Sequence, residues 1–151
     1  MPRMRQLKTA HGVLESDERR KAQTLASSER QVHESEAKLA ELGSYREAYI
    51  RDFASRAGAG MNAARARDYQ VFLARLDEAL REQTEIVAQA RATRTELLAK
   101  WSGAARRSAA VDRALERGVS DERRRLERRE QHDADERAQG RWSAGGKRRV
   151  P

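Results

Sequence analysis

The chain has 151 residues, enough for one domain; 37% are charged and 5% are aromatic. It holds too few large apolar residues for a compact globule, whereas its wealth of Ala, Glu, Arg and Leu suits long helices that share a seam. A formal net charge of +8 favours acidic partners, and the absence of cysteine excludes disulfides and thiol chemistry and fits the cytoplasm.

The start, Met1-Pro2-Arg3-Met4-Arg5, is basic, but no apolar run follows it, so neither a signal peptide nor a membrane span is expected. From about Met4 to Arg56, apolar residues recur in alternating steps of four and three. The resulting heptad frame puts Leu25, Val32, Leu39 and Phe53 at a, and Leu14, Leu42 and Tyr49 at d. Glu18 and Lys21 occupy seam positions in the first half, where they weaken the seam and set its register.

The stretch Ala57-Gly58-Ala59-Gly60-Met61-Asn62 interrupts this pattern. Gly58 and Gly60 tolerate the positive φ that ends a helix, and Asn62 is a good N-cap for the next one. The chain is expected to fold back here. A second arm continues the same rule through Tyr69, Leu73, Leu76, Leu80, Gln83, Val87, Leu97, Trp101, Val111 and Leu115. Gly103 and Gly118 each cost about 1 kcal/mol relative to Ala in a helix; they bend it or make room for a large neighbour. With the fold-back centred near Gly60, the first arm runs out opposite about Gly118, where the apolar seam of the second also fades. Asp121 to Arg137 is almost wholly charged and reads as a solvated single helix, with i,i+4 pairs worth roughly 0.2–0.5 kcal/mol each.

The expected architecture is therefore all-α: two long helices in an antiparallel coiled-coil hairpin with an overhanging charged C-terminal helix. The hairpin covers residues 1–140 (helix about 4–56, turn about 57–63, helix about 64–138), and 141–151 form a disordered basic tail.

Near the turn the chain carries more apolar residues than a two-helix seam uses. Tyr45, Phe72 and Ala79 fall at g, beside the d residues Leu42, Tyr49 and Leu76. In an antiparallel pair the g edges of both helices meet on one side, so these six residues are expected to form one patch. Such a stripe either widens the core where the chain turns or presents a protein-docking face.

The pattern Leu42-x-x-Tyr45-x-x-x-Tyr49 before the turn, with Tyr69-Gln70-x-Phe72-x-x-x-Leu76-x-x-Ala79-Leu80 after it, resembles the FliJ family, the stalk proteins of the flagellar type III export apparatus. The resemblance covers about Leu7 to Arg137. It implies an antiparallel coiled coil, similar to the two-helix part of the rotary γ subunit of F-type ATPases, with its helix ends in the pore of the hexameric export ATPase. It further implies promotion of ring assembly and activity, and binding and recycling of export chaperones. Contact with the cytoplasmic domain of the large export-gate membrane protein is implied through Leu42, Tyr45, Tyr49, Phe72, Leu76 and Ala79. The family pattern extends to the positions of Lys38 and Gln83, where Gln and His are expected. The implied location is cytoplasmic, peripheral at the inner face of the plasma membrane through partners. The arginines Arg106, Arg107, Arg113, Arg117, Arg123, Arg124 and Arg125 would suit an acidic pore, or else form a solvated face.

No motif for chemistry is present. His11, His33 and His132 lack ligand spacing, Gly58-Ala59-Gly60 lacks the ending of a phosphate loop, and no cofactor is expected. Three other readings compete: the stalk of a virulence type III system, a basic coiled coil that binds nucleic acid, and a coiled-coil dimer whose arms pair between chains. Interspersed acidic residues and the lack of a reading module argue against specific nucleic-acid binding.

Overall fold

The computed structural model describes residues 2–147, with side chains to Gly145. Two helices, α1 (Pro2–Gly58) and α2 (Ala63–Lys147), pack against each other, with no strand among the described residues. No described helix is long and apolar enough to cross a membrane.

The link between them is tight. Ala59 N–H donates to the Ser55 carbonyl at 3.2 Å and Gly60 N–H to the Ala57 carbonyl at 3.2 Å, closing α1. Gly60 alone among the described residues has positive φ, at 99°. Gly58, to which the sequence reading gave the same freedom, is instead the last residue of α1. Asn62 caps α2 as expected, its side-chain oxygen accepting from Arg65 N–H at 2.8 Å.

At its far end α2 continues seven residues past Gly140, to Lys147, so the stretch expected as tail from 141 onward begins as helix. One glycine costs about 1 kcal/mol in a helix, and no proline intervenes before Pro151, so propagation is not stopped there. Residues 148–151 lie outside the described residues.

The chain divides into two compact units: Asp17–Ala105, and the residues up to Ser16 together with those from Arg106 on. In Asp17–Ala105 every seam position of the heptad frame is buried or half-buried. Leu25, Val32, Leu76, Val87 and Ala104 form the core, each fully buried Leu or Val contributing about 1.5–3 kcal/mol. Cross-helix pairs fix the antiparallel register. Arg46 meets Asp77, and the Arg91 guanidinium lies 2.9 Å from Glu36. Gln83, buried in the seam, donates from Nε2 to the Ser35 carbonyl at 3.0 Å.

In the other unit, Met4, Leu7, His11 and Leu14 share a half-buried face with Val111 and Leu115, and Ser108 is buried. His11 reaches Asp112 at 3.5 Å and Glu15 at 3.8 Å. A Cβ placed on Gly118 would stand 2.9 Å from the Met4 sulfur, so this glycine makes room for the thioether. From Val119 to Gly145 every residue but Glu122 is exposed.

Candidate protein-docking surface

The site lies in Asp17–Ala105, beside the turn. Tyr45 and Tyr49 are one helical turn apart on α1, and Tyr69 and Phe72 are three residues apart on α2. The antiparallel register brings them together as a continuous chain of rings. Phe53 lies 5.2 Å from Tyr69, Tyr69 4.9 Å from Tyr49, and Tyr49 4.6 Å from Phe72. Phe72 meets Tyr45 edge-on at 6.3 Å, within the range where aromatic pairs attract.

Their exposure follows their heptad positions. Tyr49, Phe53 and Tyr69, at a and d, are half-buried. Tyr45 and Phe72, at g, cannot enter a two-helix seam and remain 53% and 36% exposed. Leu42 and Ala79 are half-buried beside them, and Leu76 is buried beneath as the floor. The six residues of the expected patch thus split into two outward rings, three edge residues and one support. Gln83 is turned into the seam and Lys38 is exposed.

Two features escaped the sequence reading. Phe53 and Tyr69 belong to the ring chain as well as to the seam. Ile86, seven residues beyond Ala79 on the same g edge, is 53% exposed; its heptad spacing was the available signal.

A polar chain borders the rings. Tyr69 hydroxyl donates to Asp52 Oδ2 at 2.7 Å, and Arg56 Nε donates to Asp52 Oδ1 at 3.2 Å. The Tyr69 bond, then the Arg56 bond, holds the Asp52 carboxyl below its ordinary value. The same bonds raise Tyr69 and Arg56. Partial burial among the rings pushes the Tyr49 hydroxyl up, helped by Tyr45, Asp52 and Asp68.

The seven arginines singled out in α2 all lie in the unit from Arg106 on, and all are exposed. Arg113 folds back to the Ala109 carbonyl at 3.4 Å. Arg123, Arg124 and Arg125 lie in the exposed stretch beyond Gly118. No group of three or more His, Cys, Asp or Glu among the described residues is placed to hold a metal.

Paired helices with a partly exposed aromatic cluster beside their turn define a helical-hairpin protein with an exposed aromatic face. The chain matches the family described as Flagellar FliJ protein over residues 4–147, nearly its whole length, and it belongs to that family. Membership carries a role related to flagellar protein export, in a family of the non-catalytic stalk or adaptor type. No curated protein and no solved structure gives a match.

Proposed function

We propose that this protein is a non-enzymatic stalk and adaptor of the flagellar type III export apparatus. It associates with the export ATPase ring, promotes its assembly and activity, and touches the cytoplasmic domain of the export-gate membrane protein and export chaperones. It works in the cytoplasm, peripheral to the inner face of the plasma membrane through these partners. The observation that carries this reading is the pair of outward rings, Tyr45 and Phe72, on a chain of the FliJ family. Exposed aromatics over a packed floor are the usual anchors of protein interfaces. Leu42, Tyr49 and Ala79 complete the gate-facing surface at its edge, and Leu76 holds it from below.

Calorimetry with the soluble gate domain tests this. Tyr45→Ala with Phe72→Ala weakens binding at least tenfold and leaves helicity unchanged, because neither ring fills the seam. Undiminished binding, or a collapse of helicity, would contradict the reading.

The exposed arginines support contact with an acidic ATPase pore. Replacing Arg123, Arg124 and Arg125 with Glu lowers stimulation of the ATPase several-fold; full stimulation by that variant would remove these residues from the contact.

A further inference from the structure

Far from the turn, α2 carries one large apolar side chain with nothing packed over it. Trp142 is 83% exposed, in a stretch where every residue from Arg123 to Gly145 is exposed. The charge pattern changes just before it. Asp133, Asp135 and Glu136 still alternate with bases, but from Arg137 to Val150 the sequence holds five cations (Arg137, Arg141, Lys147, Arg148 and Arg149) and no acidic side chain. Arg137 donates from Nε to the Asp133 carbonyl at 3.3 Å, and neither it nor Arg141 enters an ion pair.

Helix geometry sorts these groups. At about 100° per residue, Ala138, Gln139 and Gly145 lie within about 60° of Trp142, whereas Arg137 and Arg141 lie about 100° or more away. The ring therefore rises from a face of small and neutral side chains, with cations at its flanks. Asp135 shares the azimuth of Trp142 but lies roughly 10 Å upstream along the axis, beyond a Debye length of about 8 Å at physiological salt. It bounds the face without opposing an anion at the ring.

A flat anionic layer suits this arrangement. The indole enters the headgroup region, where Trp is favoured, and the long arginine side chains reach sideways to the phosphates. A single strand of nucleic acid would need ring and cations along one groove, since stacking and phosphate contact occur together. With one ring among small neighbours the anchor is shallow, and no described helix is apolar enough to cross the bilayer.

We propose that the segment from Arg137 onward is a direct contact for an anionic phospholipid bilayer, with Trp142 as its interfacial anchor and Arg137, Arg141 and the cations that follow as its headgroup contacts. This rests on neither the Tyr45 and Phe72 surface nor the arginines up to Arg125, and it adds a lipid contact to the partner-mediated ones.

The test is sedimentation of the full-length protein with vesicles of phosphatidylcholine and phosphatidylglycerol at three to one, or of phosphatidylcholine alone, at physiological salt. The anionic vesicles bind at least about tenfold more tightly, because each cation near such a surface strengthens binding about fivefold. Changing Arg137, Arg141, Lys147, Arg148 and Arg149 together to Gln abolishes that preference. Changing Arg30, Arg51, Arg67, Arg75 and Arg81 to Gln, all exposed, removes the same charge elsewhere and keeps binding within about threefold. Trp142→Ala weakens binding several-fold, and helicity is unchanged in every variant. In Trp101→Phe, where Trp142 is the remaining tryptophan, anionic vesicles with brominated acyl chains quench its fluorescence. Equal binding to both vesicles, equal loss in the two arginine variants, or no quenching would overturn the proposal. So would binding of the same segment to single-stranded DNA but not to vesicles, which would assign these cations to nucleic acid.

Discussion

Tyr69 ties the two helices together across the turn by one hydroxyl. Its bond to Asp52 is the largest influence holding that carboxyl below its ordinary 3.8, with Arg56 next. A carboxyl lowered in the folded state adds stability above its unfolded pKa and loses it as pH falls through the folded value. Tyr69→Phe therefore moves the Asp52 midpoint up toward 3.8, read by carboxyl-carbon NMR titration. The difference in Tm between the two proteins is present at neutral pH and shrinks in acid. An unmoved midpoint would show that Arg56 alone sets the charge of Asp52. The heptad frame placed Tyr69 in the seam, but its partner 17 residues upstream was not legible. That bond depends on how two side chains meet once the register is set, and periodicity says nothing of rotamers. The g positions of Tyr45 and Phe72, by contrast, marked them as edge residues while leaving open a widened core or an outward face, and both rings are partly exposed.

At the scale of the helices, Gln83 shows what a polar seam residue does. It is buried and satisfied by the Ser35 carbonyl, with Ser35 Oγ in turn bonded to the Val32 carbonyl. Removing the amide while leaving space costs both packing and a hydrogen bond, so Gln83→Ala lowers stability by about 1–3 kcal/mol in urea unfolding. Gln83→Leu refills the seam, and because the backbone acceptor already serves its own helix, stability changes by less than about 1 kcal/mol. What Leu loses is register, since an apolar seam tolerates a shift that a placed amide forbids. Equal destabilisation by both changes would contradict this account. The pairing was readable in advance only approximately: a fold-back centred on Gly60 sets Met4 opposite Glu116, and the structure places the Met4 sulfur against nearby Gly118. The end of α2 was not readable, because Gly140, Gly145 and Gly146 are helix-ending signals that the helix nonetheless runs through to Lys147.

Across the whole molecule, apolar surface is scarce and its placement is informative. Residues beyond Gly118 are almost uniformly exposed, and the exposed rings that pack on one another, Tyr45 and Phe72, lie near the turn, whereas Trp142 is exposed far along α2. A two-helix seam could have been closed with small or polar g residues, as it is at most other g positions, Ile86 excepted; two large rings at that edge are what a partner would use. Composition and period revealed the helices, and the aromatic spacing on both sides of the turn revealed the family. Which machine component rests on the rings is carried by neither, since a docking face records the shape and polarity of its partner and not its identity. The most direct test is site-specific photo-crosslinking in living flagellated cells, with a benzophenone side chain at position 45, at 72, and at exposed Val13 as control. The account predicts cross-links from 45 and 72 to the export-gate membrane protein and none from 13. Equal capture at all three positions, or none at 45 and 72, would contradict it.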